Sequence, residues 1–134
     1  MKNINELIAT MVGKVFTSVT RTDSALCFEN DTEKYLFAHT QDCCEEVYIE
    51  DLVGDIQDLI GSPITFAEKS TNAEDPGAKD PYDEDYLWTY YKFATIKGWV
   101  DVRWYGSSNG WYSMDVDLRY TGADGKTIIA YLDE

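Results

Sequence analysis

Four residues late in the chain could bind a small molecule if folding brings them together: Trp99, Arg103, Tyr105 and Trp111. Indole and phenol rings stack on planar groups, and a guanidinium holds a phosphate through paired hydrogen bonds. Asn109, in the polar run GSSNG at 106–110, adds an amide beside them. A second set of reactive types is HTQDCCE at 39–45, which contains His39, the single histidine of the chain. Its His, Cys, Asp and Glu are metal-ligand types. Zinc sites, however, separate paired cysteines by about two to four residues, and adjacent strand residues point to opposite faces. A Cys–His nucleophile would need an electropositive setting to lower the thiol pKa. This stretch is instead strongly acidic. No phosphate-binding loop, dinucleotide fingerprint, HExxH or GxSxG signature occurs. No enzyme activity, metal or cofactor is therefore expected.

These residues sit in an acidic chain, with 25 Asp+Glu against 11 Lys+Arg and a net charge of −14 over 134 residues. Such a surface repels phosphate backbones, which excludes a general DNA or RNA binder. Residues 42–58 carry seven acids and no base. Asp42, Glu45, Glu46, Asp55 and Asp58 could form a surface that imitates a nucleic-acid backbone or docks on a basic protein patch. Solvated loops and helix faces are the simpler explanation of the same acids. With 44% hydrophobic and 14% aromatic residues the chain can bury a core, so it reads as one domain over residues 1–134. It has no apolar run of membrane-spanning length and no signal-peptide pattern, so a cytoplasmic location is expected. Cys27, Cys43 and Cys44 then read as reduced thiols, because a neighbouring pair forms no ordinary disulfide.

Elements must place these side chains. Ile4, Leu7, Ile8 and Met11 fall at helical spacing, which predicts a short helix over 3–12 stopped by Gly13. KVFTSVTRT, SALCFEN and EKYLFAHT read as an antiparallel meander, and VYIE as a further strand. Leu52, Val53, Ile56, Leu59 and Ile60 form a stripe that predicts a second helix at 51–61. ITFAEKST is another strand, and the acidic run at 73–85 reads as a solvated or disordered loop. LWTYYKFATI, WVDVRWY, WYSMDVDLRY and KTIIAYL are strands, the last two joined by TGADG. The expected fold class is α+β: a mainly antiparallel sheet of about six to eight strands with two short helices.

Alternation assigns faces. Val100, Val102 and Trp104 point to the core, joined by Tyr112, Met114, Val116 and Leu118 if 99–105 and 111–119 form one hairpin. Trp99, Asp101, Arg103 and Tyr105 then share the outer face with Trp111, Ser113, Asp115, Asp117 and Arg119. That face reads as a half-exposed sheet surface, a protein interface or a small-ligand site.

Residues 39–64 and 91–113 resemble a family of small proteins from bacteriophages and bacterial mobile elements, of uncharacterised function. The resemblance rests on H-x-Q-D-C-C-E, on I-E-D before the predicted helix, and on Y-K-F-A-T-I-K-G followed by R-W-Y-G-x-S-N-G. It supplies no catalytic residue. It implies an accessory protein that acts stoichiometrically in a bacterial host. The expectation for this chain is a non-enzymatic phage counter-defence protein that sequesters a small nucleotide-type immune signal. Trp99, Arg103, Tyr105, Asn109 and Trp111 would hold the ligand, and self-association would bring His39 and Gln41 to close the pocket. The alternative is an acidic inhibitor of a host nuclease or CRISPR effector, working through the 42–58 acids.

Overall fold

Strand-forming runs separated by Gly- and Asp-centred turns give a molecule that is mostly β. The computed structural model describes residues 3–70 and 75–130. Helix α1 (Ile4–Ala9) opens with Asn3, whose side-chain oxygen accepts the Asn5 backbone N–H at 2.7 Å, and buries Ile4, Leu7 and Ile8. Strands β1 (Ser18–Arg21), β2 (Ala25–Glu29) and β3 (Lys34–Ala38) form the expected meander. They continue into β8 (Asp117–Thr121) and β9 (Thr127–Ala130), in the order β1-β2-β3-β8-β9. The second sheet holds β4 (Glu46–Val53), β5 (Phe66–Ser70), β6 (Asp85–Thr95) and β7 (Gly98–Ser108), in the order β4-β7-β6-β5. Every pairing is antiparallel.

The inner faces pack on each other through aromatic rings. Phe28 lies 4.8 Å from Phe93, and Phe37 lies 5.0 Å from Tyr91, each pair bridging the two sheets. Burial of such a ring stabilises the fold by roughly 1.5–3 kcal/mol. The α1 residues, Phe16, Leu59 and Ile64 join this same cluster, so both sheets share one core.

Two expectations about elements are corrected. The second helix is only a 3-10 turn, Ile56–Leu59, because Asp51, Leu52 and Val53 are strand, paired with Arg103, Val102 and Asp101. Leu52 packs on the core and Val53 is exposed. The apolar stripe thus runs across a strand end and a turn, and two adjacent apolar residues fit either period. Gly54 ends the strand at φ +111°, where a Cβ would stand 2.4 Å from the Trp99 carbonyl oxygen. The fold class accordingly shifts from α+β with two helices to mostly β, with two sheets and one α-helix among the described residues.

The second correction concerns the last hairpins. β7 does not pair with residues 111–119. Its two edges are taken by β4 and β6, and β8 lies in the other sheet beside β3. The β6–β7 hairpin instead turns through Ile96 and Lys97, with Thr95 opposite Gly98. Val116 and Leu118 are buried as expected, but from the facing sheet.

Candidate functional site: a groove on the outer sheet face

The β6–β7 register fixes what the second sheet shows to solvent. Thr89, Tyr91, Phe93, Val100, Val102 and Trp104 are buried, while Tyr90, Lys92, Trp99, Asp101 and Arg103 take the opposite face. The outward direction predicted for Trp99, Asp101, Arg103 and Tyr105 is the observed one. Tyr105 is nevertheless only 2% exposed.

The reason is a strap. Residues 75–84 lie over this end of the face and bind the polar tips of its rings. The Trp88 indole N–H donates to the Gly77 carbonyl at 2.8 Å, and the Lys79 backbone N–H donates to the Tyr105 hydroxyl oxygen at 3.1 Å. The Tyr105 hydroxyl in turn donates to the Asp83 carboxylate. Burial, followed by the Asp83 contact, pushes the Tyr105 hydroxyl up to about 12. This segment was expected to be solvated or disordered; its described part is held to the sheet. Residues 73 and 74 lie outside the described residues.

Beyond the strap the face opens into a groove of about 400 Å³. Phe66 and Glu68 of β5 form one wall, Asp51 and Val53 of β4 the other, and Tyr90, Lys92, Asp101 and Arg103 the floor. Trp99, 55% exposed, packs on Phe66 with ring centroids 5.3 Å apart. Lys92 Nζ stands 5.3 Å from the Trp99 ring and 3.5 Å from Asp101.

Arg103 owes its setting to a bulge in β4. Ile49 pairs with Trp104 and Asp51 with Arg103, which leaves Glu50 as an extra residue. Its carboxylate accepts twice from Arg103 Nη2, at 2.6 and 3.1 Å, and Asp51 stands at 3.7 Å. The guanidinium lies 5.4 Å over the Trp88 ring, and its Nε is buried without a hydrogen-bond partner. The hydrogen bonds it donates to Glu50 raise the Arg103 pKa further.

The structure breaks up the rest of the predicted constellation. Asn109 and Trp111 lie past the far end of β7, because the chain there leaves for the other sheet. Trp111 is 85% exposed. Asn109 lines a separate cleft with Cys44, Glu46, Tyr82, Asp83 and Glu84. His39 and Gln41 are tied down in the chain's own 39–45 turn. His39 Nε2 contacts the Glu45 carboxylate at 2.7 Å and Nδ1 lies 2.6 Å from the Asp115 carbonyl, while the Gln41 amide donates to the Glu45 carbonyl at 2.7 Å.

Glu45, expected on an acidic docking surface, is the buried centre of this turn. It also accepts the backbone N–H groups of Asp42 at 3.0 Å and Cys43 at 2.8 Å. Burial opposes its charge, but the bonds from His39, Cys43 and Asp42 outweigh it and hold the carboxyl down at about 2. Cys43 and Cys44 are bonded to each other rather than free, and Cys27 is a free thiol. The expectation of reduced thiols at Cys43 and Cys44, drawn from their being neighbours, is thus corrected. Among the described residues, no three His, Cys, Asp or Glu side chains are placed to hold a metal.

The remaining acids form two groups. Asp42 and Glu46 flank the start of β4, whereas Asp55 and Asp58 follow its end. The eight residues of the strand span ~25 Å. Asp55 is used locally: it accepts the Gln57 backbone N–H at 2.9 Å and caps the 3-10 turn.

Residues 9–118 match the family described as a domain of unknown function, DUF7448. The chain belongs to this family. The match in this DUF7448 chain spans β1 to β7, including both groove walls and floor, and ends within β8. No curated protein and no solved structure matches it. Among the described residues, no helix is long and apolar enough to cross a membrane.

Sequence reasoning missed Phe66, Glu68, Lys92, Glu50 and Asp51. The tight turn at Ile96 and Lys97 held the signal for one of them, since it sets Lys92 opposite Asp101 and Tyr90 opposite Arg103.

Proposed function

We propose that the protein acts by stoichiometric binding and captures a small ring-bearing ligand in the groove between β4 and β5. The observation that carries this reading is the groove itself. It gathers Phe66, Tyr90, Lys92 and Arg103 in one half-open cavity, with Trp99 at its edge. Concave sites with apolar walls and a few fixed polar groups are where small ligands bind. Binding is favoured over catalysis because the charged groups there are already engaged: Arg103 with Glu50, and Lys92 with Asp101. His39, the one imidazole, is locked in a structural turn. In the phage setting that the resemblance implies, the ligand is a nucleotide-type immune signal, held in the cytoplasm of a bacterial host. Native mass spectrometry of protein purified from infected, defence-active cells should show a bound small molecule, absent from Trp99→Ala. Wild-type protein that carries none and retains none on titration overturns the reading.

A second reading, docking on a basic host protein, is favoured by the cleft at the other end of the face. Glu46, Asp83 and Glu84 line it with no cation among the described lining residues, and Tyr82 at its rim is 90% exposed. Glu46→Gln with Glu84→Gln should slow association with a basic nuclease at low salt. An unchanged rate eliminates this reading.

A further inference from the structure

We infer that the groove holds a planar heterocycle bearing N–H and O–H donors, as in the base and ribose of a nucleoside, and leaves any phosphate outside. This inference rests on the capture reading and names the part of the ligand that enters. Asp51, Glu68 and Asp101 line the cavity, and Glu50 lies directly behind Arg103. Against these four carboxylates stand Lys92 and Arg103, which are both already paired: Lys92 with Asp101 at 3.5 Å and Arg103 with Glu50 at 2.6 Å. A phosphate entering here meets a net negative lining and must displace an existing partner to gain a cation. A ribose or an exocyclic amine meets the opposite situation. The carboxylates accept hydrogen bonds from such donors, and charge-assisted bonds of this kind are the stronger class. Phe66 and Tyr90 line the cavity, with Trp99 packed on Phe66, and aromatic rings of this kind pair with planar groups. The ligand therefore enters base first, its phosphate turned to solvent.

The test uses the full chain and four commercial ribonucleosides with their 5′-mono- and triphosphates, titrated calorimetrically at about 10 mM and 150 mM salt. The expected order is nucleoside tightest, monophosphate weaker and triphosphate weakest, with gaps that shrink as salt rises. A carboxylate and a phosphate charge about 6 Å apart in water at low salt change Kd about three-fold. Glu68→Gln combined with Asp101→Asn should therefore narrow the nucleoside-to-monophosphate gap by up to about ten-fold. The exposed Asp31→Asn, in the β2–β3 turn of the other sheet, should leave it unchanged. A monophosphate that binds wild type more tightly than its nucleoside overturns this inference while leaving capture standing. Equal narrowing by Asp31→Asn also overturns it, since the effect would then be net charge alone. Failure of every probe to bind also overturns this inference, while capture itself is decided by the small molecule found on the protein from infected cells.

Discussion

Arg103→Ala should destabilise the fold as well as alter the groove, and the structure sets the size of the effect. Glu50, the partner of Arg103, has a side chain only 12% exposed, and Arg103 itself is 39% exposed. The pair is thus neither a surface ion pair, at ~0.2–1 kcal/mol, nor a fully buried one, where loss of one partner costs ~3–5 kcal/mol. Screening on the exposed side brings the loss to about 1.5 kcal/mol. The guanidinium also lies 5.4 Å over Trp88, a contact worth about 0.5 kcal/mol. The sum is about 2 kcal/mol. With ~2.1 cal/mol/K of unfolding entropy per residue, a chain of 134 residues loses about 7 °C of Tm. Thermal unfolding followed by circular dichroism would measure it, together with Glu50→Gln and the double variant. Removing both partners should recover about 1 kcal/mol, because no charge is then left unpaired near the core. A shift below about 2 °C for Arg103→Ala, or strictly additive singles, would refute the argument. Trp99→Ala is accordingly the cleaner probe of binding.

Other expectations follow from the same geometry. Glu45 has a folded pKa of about 2, below the usual carboxylate value of 4.5, so it contributes stability that is complete above about pH 4.5. That contribution is lost as pH falls toward 2; Glu45→Gln should flatten the fall of the urea midpoint over this window, and an unaltered slope would contradict the assignment. Gly54→Ala should cost about 3 kcal/mol, since its Cβ meets the Trp99 carbonyl at 2.4 Å under a φ of +111°. Gly13→Ala, with φ +90° but open space around it, should cost about 1 kcal/mol, and equal urea midpoints for the two variants would show that the close approach does not matter. Tyr105→Phe removes the hydroxyl that binds Lys79 and Asp83, so limited proteolysis within 75–84 should run several-fold faster than in wild type. Unchanged cleavage would mean that the strap is held by other contacts.

What could be read from the chain depended on the range of the interaction. Local periodicity located α1, the β1–β3 meander and the β8–β9 hairpin, because each is fixed by neighbours in sequence. The outward direction of Trp99, Asp101 and Arg103 was legible for the same reason: alternation needs no partner. Pairing across the chain was not legible. Residues 111–119 alternate as well as a partner of β7 would, and only the filling of both β7 edges by β4 and β6 excludes them. The groove suffered most, since its walls are β4 and β5, consecutive in the chain yet placed on opposite edges of the sheet by pairing with the later strands β7 and β6. The role of Glu45 was hidden for a different reason. An acid within an acidic run looks solvated until the turn that wraps it is known.

The bulge at Glu50 has a consequence for how this surface could change. Strict alternation from Val47 and Ile49 would turn Asp51 inward; the supernumerary residue resets the phase so that Leu52 packs on the core and Asp51 faces out. Excising Glu50 alone would restore a regular strand with Leu52 still inside, and would strip the guanidinium of its bidentate acid. A single codon loss, and no repacking of the interior, would thus leave the trough's guanidinium facing Asp51, at 3.7 Å, in place of its close acid partner.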